Sequence, residues 1–333
     1  MKRIFAALLI TGCLALALAS GAPTASAANE PVTLVGGTML PEGHVYWQAC
    51  VKFKELLEKY YTGGPLTVEL HHSSVLGTEK DSIEYMIQGT AVDFYIISPA
   101  WFATWNKVMP IIDAPFLFKS TAHWEKCIES GVLKPLDDDA IKTGVRFLGH
   151  GGGGVRSIIS NKPAKSIADF PGIRMRVQGS PLHQRAFAAT GLVATPMDYM
   201  EVYNAIKTGV LDALENEPAG LEGMKFYEVA PYYILTNHQI TTRQLGFSEP
   251  RFQSLPKDLQ EAILKAGREA SAHHRKIEVA DSERIIRELT EKHGLKPLAF
   301  DNTEMRRLAS PVIEEFAKEI GALEIYRAIE AVN

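Results

Sequence analysis

Residues 172–217 read GIRMRVQGSPLHQRAFAATGLVATPMDYMEVYNAIKTGVLDALENE, and the rest of the chain can be laid out from them. Ile173, Met175 and Val177 alternate with Arg174 and Arg176. That is the period of a strand, with apolar residues on one face and two arginines on the other. A helical segment over residues 183–190 follows and is stopped by Gly191. Asp198 with Glu201 three residues later has the spacing of a capping box that opens a second helix. Thr208-Gly209 stops it, and Val210-Leu211-Asp212-Ala213-Leu214 reads as a buried strand ending at Glu215-Asn216-Glu217. Open α/β sheets bind ligands at the carboxyl ends of strands, near crossover points. Arg176 and Asn216 are therefore candidates to converge on one cleft.

Working outward, the same pattern occurs earlier. Ile87-Gln88-Gly89-Thr90-Ala91-Val92-Asp93 and Ile206-Lys207-Thr208-Gly209-Val210-Leu211-Asp212 share an Ile-to-Asp spacing and a glycine stop. Each reads as helix end, glycine, then buried strand. Two similar halves facing each other would place Ser98, which ends the first of these strands, across one cleft from Asn216. Trp101, Phe102 and Trp105 follow Ser98 and are candidates to wall that cleft, with core packing as the alternative.

The composition permits this. The chain has 333 residues, 46% hydrophobic and 22% charged, enough for two domains of moderate size. Residues 1–27 have the form of a secretory leader: Lys2-Arg3, an apolar run to about Ala19, and Ala25-Ser26-Ala27 as a small-residue cleavage site. The run is shorter than the roughly 20 residues of a membrane span. Ile10-Thr11-Gly12-Cys13 also resembles a lipobox, so lipoprotein processing remains an alternative to cleavage near Ala27. Loss of Lys2 and Arg3 would take the formal charge from −4 to −6. No basic run or aromatic-interleaved basic patch occurs, which excludes nucleic acid as a partner. An acidic chain that binds anions must do so through a local positive site. Of the cysteines outside the leader, Cys50 and Cys127 fall in helical patterns, and buried free thiols are the simpler reading.

Enzyme signatures are missing: there is no HExxH, GxSxG, Walker A or CxxC motif. His71-His72 and His273-His274 are adjacent pairs, which face apart on a strand and do not share a helix face, so neither suits a metal. The run Asp137-Asp138-Asp139 reads as a solvated helix start. Gly149-His150-Gly151-Gly152-Gly153-Gly154 matches GxGxxG in letters. However, Val155-Arg156-Ser157-Ile158-Ile159-Ser160 after it is β-like, whereas a dinucleotide site needs a helix there. The glycines fit a crossing between domains, where missing side chains let a ligand or the other domain approach. Residues 255–293 carry helical periodicity (Leu259, Ile263, Ala266, Ala270, Ile277, Ile285, Leu289) over about 37 residues, or roughly 55 Å at 1.5 Å per residue. That exceeds the width of a small domain.

With these features assembled, the chain resembles the DctP family, the substrate-binding proteins of tripartite ATP-independent periplasmic (TRAP) transporters. The matching residues are Gly172-Ile173-Arg174-Met175-Arg176-Val177, Thr195-Pro196-Met197, Glu201-Val202-Tyr203, Thr208-Gly209 through Asp212, Glu215-Asn216, Phe226-Tyr227-Glu228-Val229 and Thr236-Asn237-His238. The resemblance implies an α/β, two-domain, periplasmic-binding-protein-like fold with hinge strands and one long helix spanning both domains. Residues 28–153 with 240–281 would form domain I, and 154–239 with 282–333 domain II. It implies a periplasmic, non-enzymatic protein, without cofactor or metal, that captures a carboxylate-containing organic acid in the interdomain cleft. The acid would be delivered to TRAP membrane subunits, and a ligand-binding sensor of the same fold is the alternative.

The resemblance also assigns residues. Arg176, the second arginine of G-x-[RK]-x-R, would pair with the ligand carboxylate through two parallel hydrogen bonds. Asn216 would sit beside the same carboxylate, Tyr199 would pack on the ligand, and Arg156 matches a second arginine of the family's site. His238 would touch ligand or orient Arg156. Glu79, close behind Gly77, opens a helix near the cleft. Ser98 stands where the family can carry an acid, and its neutrality argues against a sialic-acid-like ligand. With the glycines clearing one wall, the pocket would have room for a bulky acid, aromatic ones included, between Tyr199 and Trp101.

Overall fold

The computed structural model describes residues 30–333; the expected leader, its cleavage site and Cys13 lie outside the described residues. Nine strands form one mixed sheet: β1 (Val32–Gly37), β2 (Leu66–His71), β3 (Phe94–Ile97), β4 (Val145–Ser160), β5 (Arg174–Val177), β6 (Val193–Pro196), β7 (Ala213–Asn216), β8 (Tyr232–Ser248) and β9 (Lys296–Ala299). Their order is β2-β1-β3-β8-β4-β7-β5-β6, with β9 beside β8. Read from either end the pattern is the same, with β1, β2, β3 and β8 matching β5, β6, β7 and β4. In each half two parallel pairings are followed by one antiparallel partner. β4 and β8 run antiparallel through the middle.

The sequence echo has a physical basis in this symmetry. Gly89 and Gly209 both leave a helix at positive φ, 67° and 76°. Asp93 then accepts the Val35 N–H on its carboxylate at 2.7 Å and donates its own N–H to the Val35 carbonyl at 2.7 Å. Asp212 does the same to Arg174, at 3.0 and 2.8 Å. An arginine backs each carboxylate, Arg251 at 3.3 Å and Arg174 at 2.9 Å. The aspartates thus pin the strand entries by side-chain bonds, and the ladders start later than the apolar runs suggest. Val210 and Leu211 still donate to the Ala205 carbonyl and finish the helix. β7 therefore starts at Ala213, and Glu215 and Asn216 fall inside it rather than beyond it. The capping box at Asp198 is also different. Asp198 accepts the Met200 N–H at 2.9 Å at the head of a short 3-10 turn, while Glu201 stays exposed.

β4 runs through the glycines as one strand with bulges. Against it lies the helix Lys257–His293, uninterrupted over 37 residues and closed by Gly294 at φ 73°. It packs on the helix Val45–Tyr60 of the first half and on Pro218–Gly223 of the second, so it spans both. Its face of Gly267, Ser271, His274 and Glu278, at helical spacing, rests on the glycine run. A Cβ at Gly149 would lie 2.6 Å from Ser271 Oγ, and one at Gly154 would lie 2.6 Å from Glu278 Oε1. At Gly151 a Cβ would fall on the His274 ring. The expectation that these glycines clear a wall for ligand is therefore corrected: they seat the long helix.

Two hydrophobic clusters lie on the two faces of the sheet. Tyr95, Ile97 and Met175 enter one, and Phe94, Ile96 and Leu214 the other. Each draws on both halves, as alternating side chains require. Cys127 lies in the first and Cys50 in the second, both as buried free thiols. The Asp137–139 run lies in the helix Lys134–Thr143, where Asp138 pairs with Lys134 and Asp139 accepts from Asn106. No helix among the described residues is long and apolar enough to cross a membrane.

Candidate functional site

A narrow cavity lies between the two halves of the sheet. The first half contributes Met39, Leu40, Tyr46, Glu79 and Trp101, and the second contributes Arg176, Gln178, Tyr199, Asn216 and Glu217. Arg156 and Arg243 reach in from the central strands β4 and β8. Six of the residues expected from sequence thus meet: Arg176, Arg156, Asn216, Tyr199, Trp101 and Glu79. Ser98 and His238 do not line the cavity.

Arg176, on β5, is 1% exposed. Its Nε donates to the Met197 carbonyl at 2.9 Å, and its guanidinium stands over the Tyr199 ring, 5.2 Å from the centroid. Among the described residues its two terminal nitrogens make no hydrogen bond and it joins no ion pair. Burial, opposed by nearby Glu215, pulls its pKa below the usual arginine value. The Tyr199 hydroxyl accepts from Asn216 Nδ2, and Asn216 Oδ1 accepts the Glu217 N–H at 3.0 Å.

Arg156 is arranged differently. Nε and Nη2 donate to the Glu215 carboxylate at 2.6 and 3.0 Å, and Nη1 donates to Glu217. Burial works against this charge, but the two glutamates outweigh it and raise the arginine's pKa. In return Arg156 and His238 overcome burial and hold Glu215 well below the usual carboxylate range. His238 stands behind the pair, Nε2 at 3.5 Å from Glu215 Oε2 and Nδ1 at 2.9 Å from Thr236 Oγ1. It therefore meets Arg156 through Glu215.

On the opposite wall Glu79 opens the helix Glu79–Gln88 behind its Thr78 cap. Its carboxylate accepts the Ser98 N–H, and burial raises its pKa to about 7. The Ser98 hydroxyl lies 2.7 Å from Gln178 Oε1 and 3.1 Å from Asp113 Oδ2. Ser98 therefore positions two lining residues, Glu79 and Gln178, and the acidic group on this wall of the cavity is Glu79. Ser98's neutrality therefore does not argue against a sialic-acid-like ligand, because Ser98 does not line the cavity. Trp101 lies on the backbone at Gly179, where any Cβ would fall on its ring. Phe102 is fully buried in the core instead.

Tyr46, Gln178, Glu217 and Arg243 line the cavity without having been singled out from sequence. Gln178 carries the strand period on from Arg174 and Arg176, and Glu217 adjoins Asn216, so both had a local signal. Arg243 had none, because it sits in an otherwise unbroken strand run. Its Nη1 donates to the Thr242 carbonyl at 2.7 Å and lies 3.8 Å from Asp113 Oδ2, and its guanidinium is 5.9 Å from the Tyr46 centroid. No group of three or more His, Cys, Asp or Glu among the described residues could hold a metal ion. The arrangement is chemically a binding site: an unpaired buried guanidinium, fixed polar groups around it, and aromatic walls.

The family model described as "Bacterial extracellular solute-binding protein, family 7" (DctP) matches residues 36–319. A solute-binding protein of Sulfitobacter sp. (strain NAS-14.1) is 38% identical over 92% of this chain and 93% of its own length. A solved TRAP periplasmic solute-binding protein from Sulfitobacter sp. NAS-14.1, crystallised with bound alpha-D-taluronate, superposes with a TM-score of 0.87 at 36% identity. The match covers 90% of this chain and 97% of that one. The C4-dicarboxylate-binding periplasmic protein DctP of Rhodobacter capsulatus is 29% identical over 100% of this chain and 98% of its own.

Proposed function

The chain belongs to family 7 of the bacterial extracellular solute-binding proteins, the DctP family, and from that premise we propose that its cleft captures a sugar acid of the uronate class for a TRAP transporter. Capture of a carboxylate-bearing organic acid is the family's function, and its members are periplasmic. The observation that carries the finer reading is Arg176, a buried guanidinium with no ion-pair partner among the described residues, set in a cavity that also presents several hydrogen-bonding side chains. One carboxylate on Arg176 restores both the charge balance and the bidentate geometry. Glu79, Gln178, Asn216, Glu217 and Arg243 offer acceptors and donors for hydroxyl groups, while Tyr46, Tyr199 and Trp101 supply flat apolar surface. A taluronate-bound relative supports the same class. An aromatic acid would leave these buried polar groups without partners, at about 1–3 kcal/mol each.

Residues 1–27 are read as the export leader, and the loaded protein docks on membrane subunits. On this reading the ligand is captured for transport and leaves the cleft unchanged. A thermal-shift screen against C4-dicarboxylates, 2-oxo acids, sugar acids and aromatic acids tests the reading, since a ligand that binds the native state raises the melting temperature. Protein refolded from denaturant is used, to remove co-purified ligand. A shift with sugar acids, lost in Arg176→Ala, is the expected result. A shift confined to C4-dicarboxylates or aromatic acids would overturn it.

A further inference from the structure

The three arginines of the cavity are not equivalent, and the difference bears on which acids can enter. Arg156 already holds Glu215 and Glu217. Arg243 stands by Asp113 at 3.8 Å and gives its Nη1 hydrogen bond to the Thr242 carbonyl. Arg176 has no carboxylate partner among the described residues. The wall that carries Arg243 also carries Glu79, with Glu217 lining the same cavity. Asp113 is fully buried behind that wall, and its Oδ1 has no hydrogen-bond partner. With Glu217 held by Arg156, the two carboxylates there, Glu79 and Asp113, still outnumber the one guanidinium. Resting on the sugar-acid reading, we propose that the cavity selects polyhydroxylated mono-acids and rejects the diacids of the same carbon skeleton. One carboxylate is taken by Arg176. The other end of the ligand meets acceptors at Glu79 and Glu217 and a donor at Arg243, a set that suits hydroxyl groups. A second carboxylate there would stand among like charges with no unpaired cation to receive it. This is selection by repulsion rather than by an added attraction.

The test is calorimetric titration of the purified protein with three acids of one configuration: the uronate, the aldonate and the aldarate. The last two are both open chains and differ only in carrying CH2OH or a carboxylate at one end. The pH is 8, above the value to which burial raises Glu79. The aldarate is expected to bind at least about tenfold more weakly than the better mono-acid. Glu79→Gln and Asp113→Asn each keep the side-chain shape and remove one negative charge, and each is expected to narrow that ratio. Glu79→Gln alone suffices if the deeper Asp113→Asn fails to fold. An aldarate that binds as tightly as its mono-acids overturns the selectivity and leaves the sugar-acid reading standing. A ratio unmoved by the variants also overturns it. Absence of binding by all three, across the common hexose configurations, overturns the sugar-acid reading and the selectivity with it.

Discussion

Arg176 is the residue whose removal has the clearest consequence. Breaking a buried ion pair on one side costs about 3–5 kcal/mol, so Arg176→Ala should weaken sugar-acid binding by roughly two to three and a half decades. Arg176→Lys should recover part of this, because one ammonium replaces a planar fork. Calorimetry decides it: an alanine variant that folds and binds like the parent removes Arg176 from the role. Glu79 makes a different prediction. Burial raises it from 4.5 to about 7, so between those values the folded protein holds a proton that the unfolded chain has released. Stability then falls as pH rises from about 4.5 to 7, by about 3 kcal/mol, and stays reduced above that window. Glu79→Gln should therefore melt higher than the parent at pH 8 and close to it at pH 5; an offset equal at both pH values would remove Glu79 as the cause. At this scale Arg176, Asn216 and Tyr199 were legible because they share one stretch with a strand period and a family motif. Arg243 and Tyr46 were not, since each is ordinary among its own neighbours.

The seat of the long helix on β4 belongs to the scale of elements. Gly151 has no left-handed φ to maintain, so Gly151→Ala is a purely steric probe. The new Cβ would meet His274, which is held by Glu278 at 2.9 Å and by the edge of Tyr46 at 5.1 Å between centroids. Overpacking of this kind costs about 1–3 kcal/mol. Chemical denaturation should show that loss, and adding His274→Ala should recover part of it; full parental stability in the single variant would show that the helix does not rest there. Periodicity alone predicted the 37-residue helix, whereas the use of the glycines was misread. Sequence shows that side chains are missing but not what occupies the space.

For the whole molecule, the two long strands and the long helix are the links between halves, and the cavity lies between those halves. Trp101 and Gly179 touch across it, a contact that exists only when the walls are together. Gly179→Ala should lower ligand affinity while leaving the melting temperature of the ligand-free protein unchanged, because binding stabilises a closed state only through contacts that state makes. X-ray scattering should show the parent contracting when sugar acid is added, as hinge closure requires. An unchanged radius of gyration would mean that the ligand enters a cavity already closed.

By itself the sequence determined the repeated halves, the length of the spanning helix and the strand that presents Arg176. These follow from backbone periods and glycine stops, which act over a few residues. Only the tertiary structure decided which arginine is left for a ligand. The partners that occupy Arg156 are 59 and 61 residues away in the chain, and the Ser98–Gln178 bond spans 80. Charge pairing in a low-dielectric interior depends on separation in space, and at such distances along the chain no local pattern records it.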